Sequence, residues 1–264
     1  MRQNTEIGIC SWFGFKYSYE ERIKFIKDAG FQSVMIWWGE EHRETNASKE
    51  MEPEIARKYG LNVENAHFPF NIINSLWEDS SEGDNLLNKY LLGIDGCKKH
   101  EIPTAVMHVT SGDNPPPFNQ LGLDRFKRLV ERAEKNNINI ALENVHTLEH
   151  LDNLFDSIES DKLKFCYDSG HENCFTPGKD CLAKYGSKLA ALHLHDNDGI
   201  RDQHMLPFNA SVNWERIMKK LKEINYKGTL SLEVDAQYSN VINDYTAEKF
   251  LMEARERACR LLKI

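Results

Sequence analysis

Short apolar runs recur along this chain, and each is followed by a stretch whose apolar residues fall at helical spacing. Residues 7–10, 31–37, 61–66, 104–107, 138–142, 163–167, 189–194 and 229–232 read as eight strands. Between them, Ile23, Ile26 and Ala29 mark one face of a first helix, which opens with the capping box Ser18-Tyr19-Glu20-Glu21 and stops at Gly30. Leu87, Leu91 and Ile94 mark another face. So do Phe126, Leu129, Val130 and Ala133, then Leu148, Leu151, Leu154 and Ile158, then Trp214, Ile217, Leu221 and Ile224. Phe250, Leu251, Ala254, Ala258 and Leu261 form the last. A helix over 47–59 is expected despite Pro53 inside it, a loop over 68–84, and a short helix with Thr176 as N-cap and Pro177 as first residue. Strict alternation calls for parallel strands joined by crossover helices. Eight units in 264 residues, about 33 each, fit a closed (β/α)8 barrel spanning 1–264 as one domain.

The polar residues fall on this frame in a pattern. His67, His108, Glu143, Asp168, His193 (with His195) and Glu233 stand at or near the C-terminal ends of strands three to eight. That end of such a barrel carries the active site. Three carboxylates and several imidazoles in one pocket would repel or lose charge without a cation among them, and divalent ions accept O and N donors. Taken singly, each has a plainer explanation. A lone histidine is more often hydrogen-bonded structure, Glu143 or Glu233 a solvated strand end, and Asp168 a turn cap. Six such explanations would have to hold at six successive strand ends. After the seventh strand, Asp202-Gln203-His204 adds another carboxylate and imidazole. His42, His100, His146 and His150 are expected on solvated loops and helix surfaces. Trp12-Phe13 and Trp37-Trp38 end strands one and two, as core packing or as an apolar wall beside a ligand.

Composition narrows the partners. Apolar residues make up 41% and charged residues 28%, and no apolar run approaches the ~20 residues of a membrane span. The first residues lack an apolar signal core, and the six cysteines show no C-x-x-C spacing, so a cytoplasmic protein with core thiols is expected. The net charge of −8 disfavours nucleic acid and leaves a small molecule as the expected partner.

These motifs together resemble the xylose isomerase-like TIM-barrel superfamily, which holds sugar and sugar-phosphate isomerases and epimerases together with endonuclease IV. The carriers are Ala66-His67-Phe68-Pro69, Met107-His108, Leu142-Glu143-Asn144, Cys166-Tyr167-Asp168-Ser169-Gly170-His171, His193-Leu194-His195-Asp196, Asp202-Gln203-His204 and Leu232-Glu233. The resemblance implies a metal site of Glu143, Asp168, His193 and Glu233, with His193 or His195 as the imidazole and His171 beside it at the substrate. It implies one divalent ion (Mn, Mg, Co or Zn) and a carbohydrate substrate. Glu143 and Glu233 would abstract and return a proton next to a carbonyl, through a metal-stabilised enediolate. A dehydratase of a polyol or inosose would share that first step. The alternative is a zinc-dependent abasic-site endonuclease. In it His67, His108, His171, Asp202 and His204, with His195 nearby, would bring the count to three zinc ions. The family's Pro-Gly-x-Gly turn after Asp202-x-His204 reads Pro207-Phe208-Asn209-Ala210 here, so a glycine-dependent ligand contact is in doubt. A homo-oligomer is compatible with the loop aromatics.

Overall fold

The computed structural model describes residues 5–40, 48–238 and 246–264. Eight parallel strands order as β7-β6-β5-β4-β3-β2-β1-β8. They are β1 (Ile7–Cys10), β2 (Ser33–Trp37), β3 (Asn62–His67), β4 (Thr104–Met107), β5 (Asn139–Glu143), β6 (Leu163–Asp168), β7 (Leu189–His193) and β8 (Leu230–Leu232). The two edges meet through Leu194, whose amide donates to Ser231 O at 3.0 Å and whose carbonyl accepts from Glu233 N at 3.1 Å. That junction completes a single (β/α)8 barrel. No helix among the described residues is long and apolar enough to cross a membrane.

The helices around it are α1 (Tyr19–Asp28), α2 (Glu52–Lys58), α3 (Ser81–Lys99), α4 (Gln120–Asn136), α5 (Glu149–Ser157), α6 (Ser169–Phe175), α7 (Cys181–Tyr185), α8 (Trp214–Glu223) and α9 (Ala247–Leu261). Several expected boundaries move for identifiable reasons. Pro53 falls in the first turn of α2, where a missing N–H breaks no helical bond. Of the residues expected to begin that helix, 47 lies outside the described residues, and 48–51 form a turn ahead of it in which Met51 N donates to Ser48 O at 2.8 Å. The loop expected over 68–84 contains a 3-10 turn (Ile73–Trp77), and Ser80 caps α3 by accepting from Gly83 N at 3.1 Å. Thr176 ends a helix instead of starting one. Asp168 takes the N-cap role at the end of β6, accepting from His171 N at 2.6 Å, and α6 uses up the sequence before Pro177. The next helix starts later, capped by Asp180.

Two expected surface histidines are interior. His150 lies edge-on to Trp77 with ring centroids 4.5 Å apart, and His100 packs beside Trp38. Both sit on amphipathic stretches where the aromatic partner comes from a distant loop. His42 lies outside the described residues. All six cysteines are free thiols, four of them buried.

Most of the core fills the space between barrel and helices. A smaller cluster of Val106, Ala141, Cys166 and Ala191 stands two residues before His108, Glu143, Asp168 and His193, so it faces the barrel interior beneath the polar mouth. Lower still is Glu64, an extra residue where the β2–β3 register slips: Val34 pairs with Val63 but Met35 with Asn65. Its carboxylate accepts from Ser231 Oγ, and a side chain at Gly8 would collide with it.

Burial pushes the Glu64 pKa from 4.5 up to about 7. A raised folded-state pKa means the folded form holds the extra proton. The stability it supports is therefore present below 4.5 and is lost as pH rises through 7. Glu64→Gln should remove this loss. Between pH 5 and 8 the variant's urea-unfolding free energy should fall less than the wild type's, by on the order of 1 kcal/mol after allowing for partial exposure. An identical pH difference in both proteins would refute it.

Candidate metal centre

The strand ends, the first turn of α6 and the loop after β7 bring all ten expected side chains into one cluster at the barrel mouth. Glu143, at the end of β5, is fully buried at its centre. Its Oε2 lies 3.3 Å from His67 Nε2, 3.5 Å from His108 Nε2 and 3.3 Å from His193 Nδ1, and its Oε1 lies 3.2 Å from His171 Nδ1. His193 Nδ1 is also 3.1 Å from Glu233 Oε2. The donor atoms of Glu143, Asp168, His193 and Glu233 all lie within 4.8 Å of one another, as do those of His67, His108 and Glu143. A third group stands further out: His171, His195, Asp202 and His204. Asp202 Oδ2 is 3.3 Å from His171 Nε2 and 3.2 Å from His204 Nε2. His195 Nε2 lies 3.1 Å from Asp168 Oδ1 and 3.5 Å from Asp202 Oδ1. The imidazoles at and just beyond the end of β7 thus separate: His193 joins Glu143 and Glu233, and His195 joins Asp168 and Asp202. Gly170 makes this possible, because a Cβ there would overlap the His195 ring.

The donors are oriented from behind. His67 Nδ1 is 3.0 Å from Phe68 O, His171 Nδ1 2.9 Å from Asn144 O, and His204 Nδ1 2.9 Å from Glu233 O. Carbonyl oxygens only accept, so each of these nitrogens carries the proton and each Nε2 offers its lone pair. A lone pair aimed at a carboxylate needs a proton or a metal ion between them. Both Glu143 oxygens, Asp202 Oδ1, both His193 nitrogens and His195 Nδ1 are buried without a hydrogen-bond partner. Burying a carboxylate so costs several kcal/mol unless a cation compensates. The titration behaviour agrees. Burial opposes charge on His171, yet Asp168 and Asp202 hold its pKa well above the usual value. His204 rises to about 10 when Asp202 outweighs burial. Burial favours neutral Glu143, but His193 and His108 hold it well below the carboxylate range. This mixed N/O set fits divalent ions such as Zn, Mn, Co or Mg.

Aromatic rings back the imidazoles. Trp37 stacks on His67 at 5.1 Å, Trp12 meets Trp37 edge-on at 5.7 Å, and Phe70 stacks on His108 at 3.9 Å. Of the early aromatic pairs, Trp12 and Trp37 therefore face the site, while Phe13 and Trp38 are core. A cavity of about 110 Å³ opens here, walled also by Phe70, Ser111, His146 and Phe175, none of which was expected in the site. Only His146 carried a signal, standing three residues after Glu143. Asp196 holds the following loop instead of a ligand: it accepts from Asn197 N, Ala210 N, Val212 N and Trp214 Nε1. In that loop Phe208 takes φ +70°, the left-handed conformation that the family's glycine would supply, and its ring lies 4.0 Å from the Arg260 guanidinium.

The sequence model of the xylose isomerase-like TIM barrel family matches residues 23–255. The Sinorhizobium fredii protein y4fM is 26% identical over 275 residues, covering 87% of this chain and 86% of its own. The Methanocaldococcus jannaschii protein MJ1311 is 31% identical over 153 residues, covering 48% and 52%. Solved structures of the same fold include a D-tagatose 3-epimerase-like protein (TM-score 0.71, 21% identity, 97% of this chain and 99% of that one). D-psicose 3-epimerase from Clostridium cellulolyticum H10 superposes with TM-score 0.79 at 14% identity, covering 98% of each. The 3-keto-D-glucoside 4-epimerase YcjR from E. coli gives 0.74 at 16%, covering 99% and 100%.

His193, unlike His67, His171 and His204, has no backbone carbonyl holding its ring. It offers Nδ1 to the carboxylates, and its Nε2 has no oxygen or nitrogen partner. The Cys166 thiol, kept neutral by burial that pushes it up to about 12, lies in the same donor group within 4.8 Å. Cys166→Ala should leave the ring without a fixed tautomer and weaken Mn²⁺ binding about tenfold, read by calorimetric titration of chelator-treated protein. Wild-type affinity in the variant would show that the thiol only fills space.

Proposed function

The chain belongs to the xylose isomerase-like TIM barrel family, and from that premise we propose that it is a divalent-metal-dependent epimerase or isomerase of a small sugar. The observation that carries this reading is the pair Glu143 and Glu233. They come from separate strands, and both approach Nδ1 of one imidazole, His193, at 3.3 and 3.1 Å. Glu143, Asp168, His193 and Glu233 would hold the ion, which when bound supplies polarisation of a substrate carbonyl and its neighbouring hydroxyl. One glutamate removes the proton from the carbon beside the carbonyl, and the other returns it. Both are carboxylates at neutral pH: burial opposes their charge, and His193 outweighs it at each. Phe70 and Phe175 give the carbon skeleton an apolar wall. The solved neighbours named for ketose and keto-glucoside epimerisation share this fold, and proton transfer beside a carbonyl is the chemistry those names describe.

One observation favours a second reading, an abasic-site endonuclease. His67 and His108 form one further donor group with Glu143, and His171, His195, Asp202 and His204 form another. That is capacity for three ions. The sugar reading is preferred because the chain carries net charge −8 and no Lys or Arg lines the cavity among the described residues. A DNA backbone site would place cations there.

The test is solvent exchange. Mn²⁺-loaded protein in D₂O should incorporate deuterium into one or more members of a panel of ketoses, aldoses, inososes and their phosphates, read by NMR. The same spectra would show a dehydrated product. Glu143→Gln and Glu233→Gln should each slow exchange by about 100-fold or more, with metal content measured alongside. Incision of an abasic-site duplex with three ions bound and no exchange on any sugar would overturn the reading in favour of the nuclease.

A further inference from the structure

Most polar side chains lining the cavity belong to the donor groups. Among the described residues two do not: Ser111 and His146. His146 stands in the loop between β5 and α5, and its ring is held by the loop after β4 and by the end of α6. Its Nδ1 lies 2.8 Å from Asp113 Oδ1, in the loop after β4. Its face lies on Phe175, the last residue of α6, with centroids 3.6 Å apart and planes 18° from parallel. Phe175 in turn tilts against His171 at 5.3 Å. The loop bearing Asp113 is itself pinned. Ser111 N donates to Asn74 Oδ1 and Asn74 Nδ2 donates to Ser111 O, both at 2.9 Å.

An ionised carboxylate only accepts, so Nδ1 carries the proton toward Asp113 and Nε2 is the ring's remaining acceptor. The His146 side chain is 27% exposed, open enough to meet a ligand and stacked enough to keep one orientation. Its partner is negative, and no Lys or Arg lines the cavity among the described residues. Such an imidazole suits a neutral hydroxyl and disfavours a phosphate.

We propose that His146, oriented by Asp113 and Phe175, is the substrate-binding residue of the outer half of the cavity. It accepts a hydrogen bond from a sugar hydroxyl that the metal donors do not reach, and it selects an unphosphorylated sugar. This rests on the reading of the cavity as a sugar site.

The experiment uses the full chain loaded with Mn²⁺ and the sugar panel above, with His146→Phe, His146→Gln and Asp113→Ala. The phenyl ring keeps the stack on Phe175 but has no nitrogen. For the sugar exchanged, His146→Phe should raise KM about tenfold, the worth of one hydrogen bond, with kcat changed by less than about threefold. Asp113→Ala should move KM the same way but less, and His146→Gln should restore part of the loss. The preference for the free sugar over its phosphate should shrink in His146→Phe, and metal content should stay that of the wild type. A wild-type KM in His146→Phe overturns the proposal. So does a loss confined to thermal midpoint or metal content, which would mean that the pair only ties two loops together. If the wild type exchanges no sugar, the proton-transfer reading fails, and His146 is judged by binding. In long-range proton–nitrogen spectra of the protein loaded with diamagnetic Zn²⁺ or Mg²⁺, a saturable shift of the His146 Nε2 signal with an unphosphorylated sugar supports the proposal. No shift with any panel member overturns it.

Discussion

A carboxylate with no exposed surface stands at the centre of this barrel, and four imidazoles face it. Glu143 would not remain ionised in an apolar interior, because desolvating a lone carboxylate costs several kcal/mol, a large share of the stability of a whole domain. The surrounding residues answer that constraint in order of distance. His67, His108, His171 and His193 supply nitrogen within 3.5 Å. The Phe68 carbonyl behind His67 turns that ring's Nε2 toward Glu143, and the Asn144 carbonyl holds His171 with Nδ1 toward Glu143 and Nε2 toward Asp202. Aromatic rings then hold the imidazole planes, Trp37 behind His67 and Phe70 behind His108. The small side chains beneath, Ala141, Cys166 and Ala191, share the interior-facing register of Glu143, Asp168 and His193, where larger groups would crowd those same side chains.

The barrel's weakest seam lies beside this cluster. Seven strand pairs have ladders, whereas β7 and β8 are joined through Leu194 alone. That residue sits between His193 and His195, and its carbonyl accepts from the amide of Glu233. Closure and site assembly are therefore one event: the seam that completes the sheet also sets Glu233 beside His193. The loop that follows is held by Asp196 through four donors. This anchoring lets Asp202 and His204 take up fixed positions although neither lies in a helix or strand. His204 does so at φ +46°, a conformation that costs energy in a non-glycine residue.

What could be read from the residues followed from regular periods. A strand's alternation and its C-terminal end together predict where a side chain points, so Glu143, Asp168, His193 and Glu233 could be placed without knowing the loops. The barrel itself followed from eight repeats of one unit. The failures have the opposite origin. Thr176-Pro177 looked like a helix start because Ser, Thr and Pro signal locally; Asp168 had already capped a helix eight residues earlier and left them at its end. His150 and His100 looked solvated because their partners, Trp77 and Trp38, come from elsewhere in the chain. The split between His193 and His195 depends on the space left by Gly170. Phe208 shows a further limit: the turn keeps its left-handed backbone without glycine, held by packing that the family motif does not encode.

Donor atoms alone do not select between a sugar and a nucleic acid, since a cluster of imidazoles and carboxylates serves proton transfer and phosphoester cleavage equally well. Selection has to come from groups that touch the part of the substrate away from the ions. On the proposed reading those groups would be two phenyl rings, Val145, a hydroxyl and an imidazole backed by a carboxylate, around a cavity of about 110 Å³. Rings match carbon faces, and the imidazole matches a hydroxyl. Among the described residues, no Lys or Arg in that lining offers a fixed positive charge to a backbone phosphate. On that reading the strand ends hold the donor groups, while the segments after β3, β4, β5 and β6 would decide what they act on.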